Sequence, residues 1–274
     1  MKRLLGSRAV FFIVMGVLAA IYTLPLMWMV MSSFKSNSEI FSSPLSLPTS
    51  IDFSIWADAW VVGNLGRYVF NSFFVTSLSV LAILVFSSLA AYAFSVFDFN
   101  GKGILFAMFA LGLLMPIQSY FIAQNSLFEL LSIKGHRWTL IVPYAAMGIP
   151  LAIYLLKVYL DGVPRQLFDA ARIDGASDMK MFRVIVLPLL KPGLATVAVF
   201  SILASWNEFL LALLYVTNDK FKTIPTGLLA FSSRYVTDYQ LLFSALTIVT
   251  LPMIAIYVIF HRQVIAGITD GSLK

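Results

Sequence analysis

Long apolar runs alternate with short polar segments along almost the whole chain. A helix needs about 20 apolar residues to cross a hydrocarbon core about 30 Å thick. Six runs reach or approach that length, and they predict an all-α membrane protein with six transmembrane helices in a single domain over residues 1–274. The predicted spans are residues 10–31, 69–96, 103–124, 139–159, 193–215 and 241–260.

The first run follows Lys2, Arg3 and Arg8, as a secretory signal would. It is longer than the apolar core of a signal peptide and has no small-residue cleavage site before Ser32. We therefore expect an uncleaved first span.

Composition supports a membrane protein: 60% of the 274 residues are hydrophobic and 12% are charged, against about 25% charged in ordinary globular domains. The absence of cysteine excludes disulfides and thiolate chemistry. The net charge of +6 does not indicate a nucleic-acid-binding protein, because the basic residues are scattered over short loops. Of the 19 Lys and Arg residues, twelve lie on the side of both termini and seven on the other, which predicts cytoplasmic termini.

The polar segment 161–192 between the fourth and fifth predicted spans carries the most specific local signals. Pro164 suits a first helical position, and Gly175 suits a left-handed residue that ends the helix after Asp174. Ser177 is a good cap for a second short helix, which Pro188 would discourage from continuing. The segment is therefore predicted to form two short helices separated by a glycine.

This segment resembles the cytoplasmic loop of bacterial ABC-importer permeases, whose pattern is roughly E-A-A-x-x-D-G-A-S, then F, then I-x-L-P. The opening acid is Asp169 instead of Glu. In that family the loop is a coupling helix that docks into a cleft of an ATPase subunit. The resemblance implies that role for Asp169, Ala170, Ala171, Asp174, Gly175, Ala176, Ser177, Met179 and Phe182. For Met179 and Phe182, burial against the chain's own spans is nearly as plausible.

Three further segments, at residues 33–41, 205–213 and 265–274, are similar to maltose-type carbohydrate permeases, specifically the shorter, six-span member of the permease pair. This resemblance implies a type I ABC importer bundle in a bacterial inner membrane. It also implies four kinds of neighbour: a second homologous permease, two ATPase subunits, an extracytoplasmic solute-binding protein and membrane lipid. The chain has no phosphate-binding loop of the form G-x-x-x-x-G-K-[ST], so we expect no cofactor here and expect the partner subunits to bind ATP and Mg²⁺.

Glu208 is the only ionisable residue well inside a predicted span, and such an acid is a functional candidate by default. Together with Trp206 and Asn207 it forms a possible solute-contacting cluster. The alternative is that Glu208 makes hydrogen bonds between helices. Gln118, Gln124, Asn71 and Ser72 also lie near predicted span ends, where we expect interhelical hydrogen bonds.

We therefore expect a non-enzymatic permease subunit of a carbohydrate importer. A permease for another solute, such as a polyol phosphate, fits the same resemblance. An intramembrane enzyme that uses Glu208 lacks a second titratable group at the same depth, and an ion-driven carrier would leave the segment 161–192 unexplained. His136 and His261 are isolated in the sequence, so no metal site is expected.

Overall fold

The computed structural model describes residues 2–116, 119–231 and 237–270, with side chains described between residues 10 and 260. Gln118 and the last four residues of the C-terminal motif lie outside these ranges. Within them, the regular elements are helices. In chain order these are α1 (Lys2–Ser32), α2 (Asn37–Ser42), α3 (Ser54–Val62), α4 (Leu65–Val96), α5 (Lys102–Gly112), α6 (Phe121–Leu130), α7 (Trp138–Asp161), α8 (Arg165–Ile173), α9 (Asp178–Met181), α10 (Leu187–Trp206), α11 (Leu210–Tyr215), α12 (Ile224–Gly227) and α13 (Tyr239–Asp270).

In the described part of the chain, five helical segments are long and apolar enough to cross a membrane. They match the predicted first, second, fourth, fifth and sixth spans, and the all-α membrane fold is confirmed. The five segments are Val10–Ser32, Leu65–Val96, Trp138–Asp161, Asp178–Trp206 and Tyr239–Phe260.

The predicted third span, 103–124, is divided into two helices, so a count of six is not confirmed. Helix α5 ends at Gly112, and α6 begins only at Phe121. Pro116 lies in the interruption; it cannot donate a hydrogen bond to a carbonyl one turn earlier, and its ring crowds that carbonyl. Glycine at the last position of α5 lowers helix propensity further.

The prediction that a short helix ends near Pro188 is wrong. The chain stays helical from Asp178 to Trp206, through a π-helical turn at Phe182–Val186. This turn immediately precedes α10, in which Pro188 is near the N-terminus. Pro188 has no N–H to donate to a carbonyl of the preceding turn. The wider π turn lets the backbone pass the proline with a bulge, so the helix continues instead of stopping.

The chain divides into two compact units, and the first comprises residues 1–66 and 227–252. Its loop after α1 is held in place by polar contacts. The fully buried Lys35 donates from Nζ to the carbonyls of Ser43 and Pro44, at 3.0 and 3.1 Å. Ser36 and Glu39 form a capping box at the start of α2, which satisfies N–H groups that a helix leaves unpaired.

The second unit comprises residues 67–226 and 253–274. Its larger core cluster joins α4, α7 and α10 to the segment 161–192, and its central side chains include Ile83, Leu156 and Val186. A second cluster, around Leu140, Tyr144 and Tyr215, packs α11 against α6 and α7. Because segment 161–192 shares the main core with three long helices, its position is fixed by packing.

Candidate functional site

Helix α8 begins one residue later than predicted and ends one residue earlier, at Ile173, with Asp174 as its C-cap. Pro164 is the N-cap, with φ −58° and ψ 129°, and Arg165 is the first helical residue. Gly175 has φ +75°, a conformation that disfavours residues with a Cβ atom. The amide of Gly175 donates to the Arg172 carbonyl, and that of Ala176 donates to the Ala171 carbonyl, both at 3.0 Å. These two bonds define a Schellman motif.

One face of α8 is packed into the main core. Phe168 and Ala171, three residues apart, are 4% and 7% exposed. The hydroxyl of Tyr92 on α4 donates to the Asp178 carbonyl at 3.2 Å, and its ring lies 5.5 Å from that of Phe182. The junction of the two short helices is therefore attached directly to the end of a predicted membrane span.

The opposite face of α8 is exposed and carries Asp169, Ala170 and Ile173. Asp169 and Ile173 are four residues apart, so they are neighbours on this face. Ile173 is a large apolar side chain that is 86% exposed, and the described residues do not cover it. It is not among the residues predicted from the sequence, although its position opposite the Phe168–Ala171 face is visible in the helical spacing.

The second short helix starts at Ser177, whose hydroxyl accepts from the Lys180 amide at 3.4 Å. Met179 is half exposed, whereas Met181 and Phe182 are buried. Of the residues predicted to dock a partner, Phe182 and Ala171 therefore belong to this chain's own core. Asp169, Ala170, Asp174, Gly175, Ser177 and Met179 are exposed, and Ala176 is partly buried.

Asp98, in the loop between α4 and α5, lies near cations at the start of α5 and of α8. Asp98 accepts from Lys102 Nζ at 3.0 Å and lies 3.6 Å from a guanidinium nitrogen of Arg165. The hydrogen bond from Lys102 and the nearby charges of Lys102 and Arg165 lower the pKa of Asp98. Asp98 is exposed, so these ion pairs are screened by solvent and contribute little to stability. The core packing, not these pairs, holds α8 in place.

Glu208 lies at the break between α10 and α11, outside any continuous helix. One carboxylate oxygen accepts from the Leu211 amide at 2.8 Å, and the other accepts from the Ala212 amide at 3.1 Å and the Tyr144 hydroxyl at 2.7 Å. Glu208 thus accepts hydrogen bonds from two N–H groups in the first turn of α11 and links this turn to Tyr144 on α7. This is the interhelical alternative considered from the sequence.

The other two residues of the predicted solute cluster face different surroundings. Trp206 is buried against a cavity of about 690 Å³ that Phe73, Thr76 and Ile256 also line. Asn207 folds back on its own helix, with Nδ2 donating to the Leu203 carbonyl at 2.9 Å. A separate cleft of about 620 Å³ between α7 and α10 is lined by Tyr144, the residue that Glu208 holds, with Ser201 and Ser205.

A cation surrounded by aromatic rings fixes the loop after α11. The Arg137 guanidinium lies 5.4, 5.1 and 5.6 Å from the ring centres of Phe70, Phe74 and Phe221, and it donates to Asn71 Oδ1 at 3.1 Å.

The buried Asn71 amide in turn donates to the carbonyls of Lys220 and Lys222, at 3.0 and 2.8 Å. Ser72 accepts from the Ile224 amide at 2.9 Å, and Gln124 accepts from the Tyr215 hydroxyl at 2.8 Å. Ser72 and Gln124 therefore make the interhelical hydrogen bonds expected from the sequence, whereas Asn71 binds the segment between α11 and α12.

Comparison with known proteins identifies close relatives in sequence and in fold. Residues 83–270 match the family model described as "Binding-protein-dependent transport system inner membrane component". The chain is 33% identical to the diacetylchitobiose uptake system permease protein NgcG of Streptomyces coelicolor over 261 residues, 93% of this chain and 85% of the relative.

It is also 32% identical to the trehalose/maltose transport system permease protein MalG of Thermococcus litoralis, over 97% of each chain. In fold it resembles a chain of a bacterial ABC transporter involved in the import of the acidic polysaccharide alginate. The TM-score is 0.80 at 20% identity, and the match covers 93% of this chain and 97% of that one.

Proposed function

We propose that this chain, which belongs to the family of binding-protein-dependent transport system inner membrane components, is a permease subunit of an ATP-driven importer of an oligosaccharide or related sugar. Relatives named for diacetylchitobiose, trehalose/maltose and arabinooligosaccharide transport each align with more than nine-tenths of this chain. These names support a carbohydrate as the solute.

The exposure of the outer face of α8 is the observation that supports the proposed coupling role most strongly. Its inner face is committed to the core through Phe168 and Ala171, while Asp169, Ala170 and Ile173 are left exposed together. A small residue permits close approach of another backbone, a carboxylate can accept from donors on a partner, and an exposed isoleucine gains from burial. This face is therefore proposed to dock into an ATPase subunit.

The remaining partners follow from the same proposal. A second homologous permease would complete the translocation path, two ATPase subunits would bind ATP and Mg²⁺, and a solute-binding protein would deliver the sugar outside. With both termini in the cytoplasm, α8 would lie on the side of the ATPases, as the distribution of Lys and Arg also predicts. The chain would then be a multi-pass protein of the bacterial inner membrane without catalytic residues of its own.

For Glu208 we propose a positioning role. All three of its hydrogen bonds fix α11 and Tyr144, and Tyr144 lines the cleft between α7 and α10. An enzyme that used Glu208 as a general acid or base would need that carboxylate free to exchange a proton with a substrate. The geometry favours the transport role.

Co-purification tests the coupling role. An affinity tag on this chain should recover ATPase subunits from its native membranes. An Ile173→Asp variant, which places a charge on the outer face without touching the core, should lose them. The matched variant Leu45→Asp changes another exposed apolar residue, 87% exposed in the loop between α2 and α3 and outside the five spanning helices, and should retain them. Recovery of the ATPases with Ile173→Asp at the wild-type level would refute docking through this face.

A further inference from the structure

A polar cavity of about 590 Å³ lies where α4, α5, α7 and α8 converge. Three of its lining side chains are cations from three different elements: Lys102, Lys157 and Arg165. The carboxylate that lines it is Asp161. The cavity therefore has an excess of positive charge, and neither the coupling role of α8 nor the Glu208 contacts involve it.

The N–H groups of the three cations outnumber the oxygen atoms that accept from them within the described residues. Lys102 Nζ reaches the Phe97 carbonyl at 2.8 Å and Asp98 at 3.0 Å, which leaves one N–H. Lys157 pairs with Asp161 at 2.5 Å, and its Nζ also lies 5.3 Å from the centre of the Phe106 ring, which leaves two N–H groups without a hydrogen-bond acceptor. The nearest carboxylate oxygen to Arg165, on Asp98, is 3.6 Å away, beyond normal hydrogen-bonding distance.

A buried hydroxyl gives the second, independent observation. Ser95 also lines the cavity, and its Oγ is buried without a hydrogen-bond partner in the described structure. A buried hydroxyl without a partner is costly. An oxyanion in the cavity would accept from Ser95 and from the unoccupied N–H groups of the three cations.

The position of the cavity identifies the source of that anion. Ser95 is in the last turn of α4, Lys102 is the first residue of α5, and Lys157 is in the final turns of α7. Three apolar helices thus have a terminus at this cavity, and the termini of membrane-spanning helices lie near the lipid headgroups. Phe94, Leu160 and Phe168 add an apolar wall, which suits the glycerol and upper acyl part of a lipid better than a free phosphate ion.

We propose that this cavity binds the phosphate of an anionic phospholipid headgroup in the leaflet that α8 faces. Basic pockets between membrane helices on the cytoplasmic side are suited to such headgroups. Because Arg165 and Phe168 belong to α8, an occupied cavity would brace α8 against α4, α5 and α7. The cytoplasmic placement of the cavity rests on the orientation given under the proposed function, whereas the binding of an anionic lipid does not.

Native mass spectrometry of the full complex, reconstituted in nanodiscs, tests the proposal directly. We expect phosphatidylglycerol to be retained by the wild-type complex and lost from a Lys157→Gln/Arg165→Gln variant. Each cation near an anionic surface contributes about fivefold in affinity, so the double variant should bind about 25-fold more weakly. Lys180→Gln/Arg183→Gln removes two exposed cations of the same segment outside the cavity and should bind like the wild type.

Three results would overturn the proposal: equal retention by wild type and the double variant, equal loss in the control variant, or displacement of the lipid by millimolar inorganic phosphate. The last result would assign the cavity to a soluble anion. If the double variant does not assemble, Ser95→Ala provides a milder change and should lower retention to a smaller extent; unchanged retention would count against the site. Lipid retention is measured without ATP or solute and can be repeated on this chain purified without partners, so its outcome is distinguishable from failure of the importer function.

Discussion

Gly175 provides a sharp test of the coupling segment, because its requirement for glycine is purely conformational. It has φ +75°, and apart from its two chain neighbours no heavy atom of the described residues lies within 4 Å of the position that a Cβ would take. A side chain at this position therefore meets no steric obstacle and costs only the energy of a left-handed backbone, about 1–2 kcal/mol for an ordinary residue. Asparagine tolerates that conformation better than alanine.

The expected order of effects follows from these costs. Gly175→Asn should behave nearly as the wild type, and Gly175→Ala should weaken ATPase binding by up to about 5- to 30-fold, the factor that corresponds to one or two kcal/mol. Gly175→Pro should abolish coupling, because proline cannot adopt a positive φ and removes the N–H that donates to the Arg172 carbonyl. The measurement is the affinity of purified ATPase subunits for the permease in nanodiscs, with solute transport as the second readout.

Gly103→Ala is the matched control, since Gly103 also has open space at its Cβ position but lies in α5 without a positive φ. Alanine there should leave ATPase binding unchanged. The reasoning would be refuted if Gly175→Ala bound ATPase like the wild type, or if Gly175→Asn were as damaging as Gly175→Pro.

Three further predictions concern other parts of the chain. Glu208→Gln should leave one N–H of α11 without an acceptor and lower the free energy of unfolding by about 1–3 kcal/mol. In a thermal-unfolding double-mutant cycle, its effect and that of Tyr144→Phe should be non-additive. Strict additivity would exclude the role of Glu208 in holding α11 against α7. Arg137→Gln should raise hydrogen–deuterium exchange in residues 217–223. Lys134→Gln, which removes a nearby cation paired with Glu129, should not raise it. Equal exchange in the two variants would disprove that Arg137 holds the loop after α11. Hydrogen bonds from the Ser36 N–H and, to a smaller extent, from the Thr49 hydroxyl lower the pKa of Glu39. The capping box is therefore stabilised at pH values above the ordinary carboxyl pKa, and it loses that stabilisation as the pH falls through the lowered pKa. Exchange in residues 36–42 should therefore rise in acid in the wild type but not in Glu39→Gln, and a pH-independent difference would contradict the assignment.

Features governed by neighbouring residues were predictable from the sequence. Gly175 ends α8 and Ser177 caps the next helix because a left-handed glycine and a serine cap act over three or four residues. Helices corresponding to five of the predicted spans were predictable for a similar reason, since each needs only a long apolar run. The same local rule failed at residues 103–124, where composition is apolar throughout but Gly112 and Pro116 interrupt the helix.

Features that depend on distant residues were not predictable. Asn71 reaches the Lys220 carbonyl across 149 positions, and no local pattern indicates that pairing. Glu208 was recognised as an intramembrane acid, but its bond to Tyr144 depends on the packing of α11 against α7. Helical spacing separates two faces in segment 161–192, but which face is buried required the fold, since apolar character alone does not distinguish the buried Phe182 from the exposed Ile173.

Site-specific photocrosslinking tests the central claim most directly, because it reports which face of α8 meets a partner. A photoreactive residue at Ile173, 86% exposed, should crosslink to an ATPase subunit in intact cells, while one at Phe168, 4% exposed on the opposite face, should crosslink only within the permease. Crosslinks from position 173 to an extracytoplasmic protein, or none to an ATPase, would contradict the account.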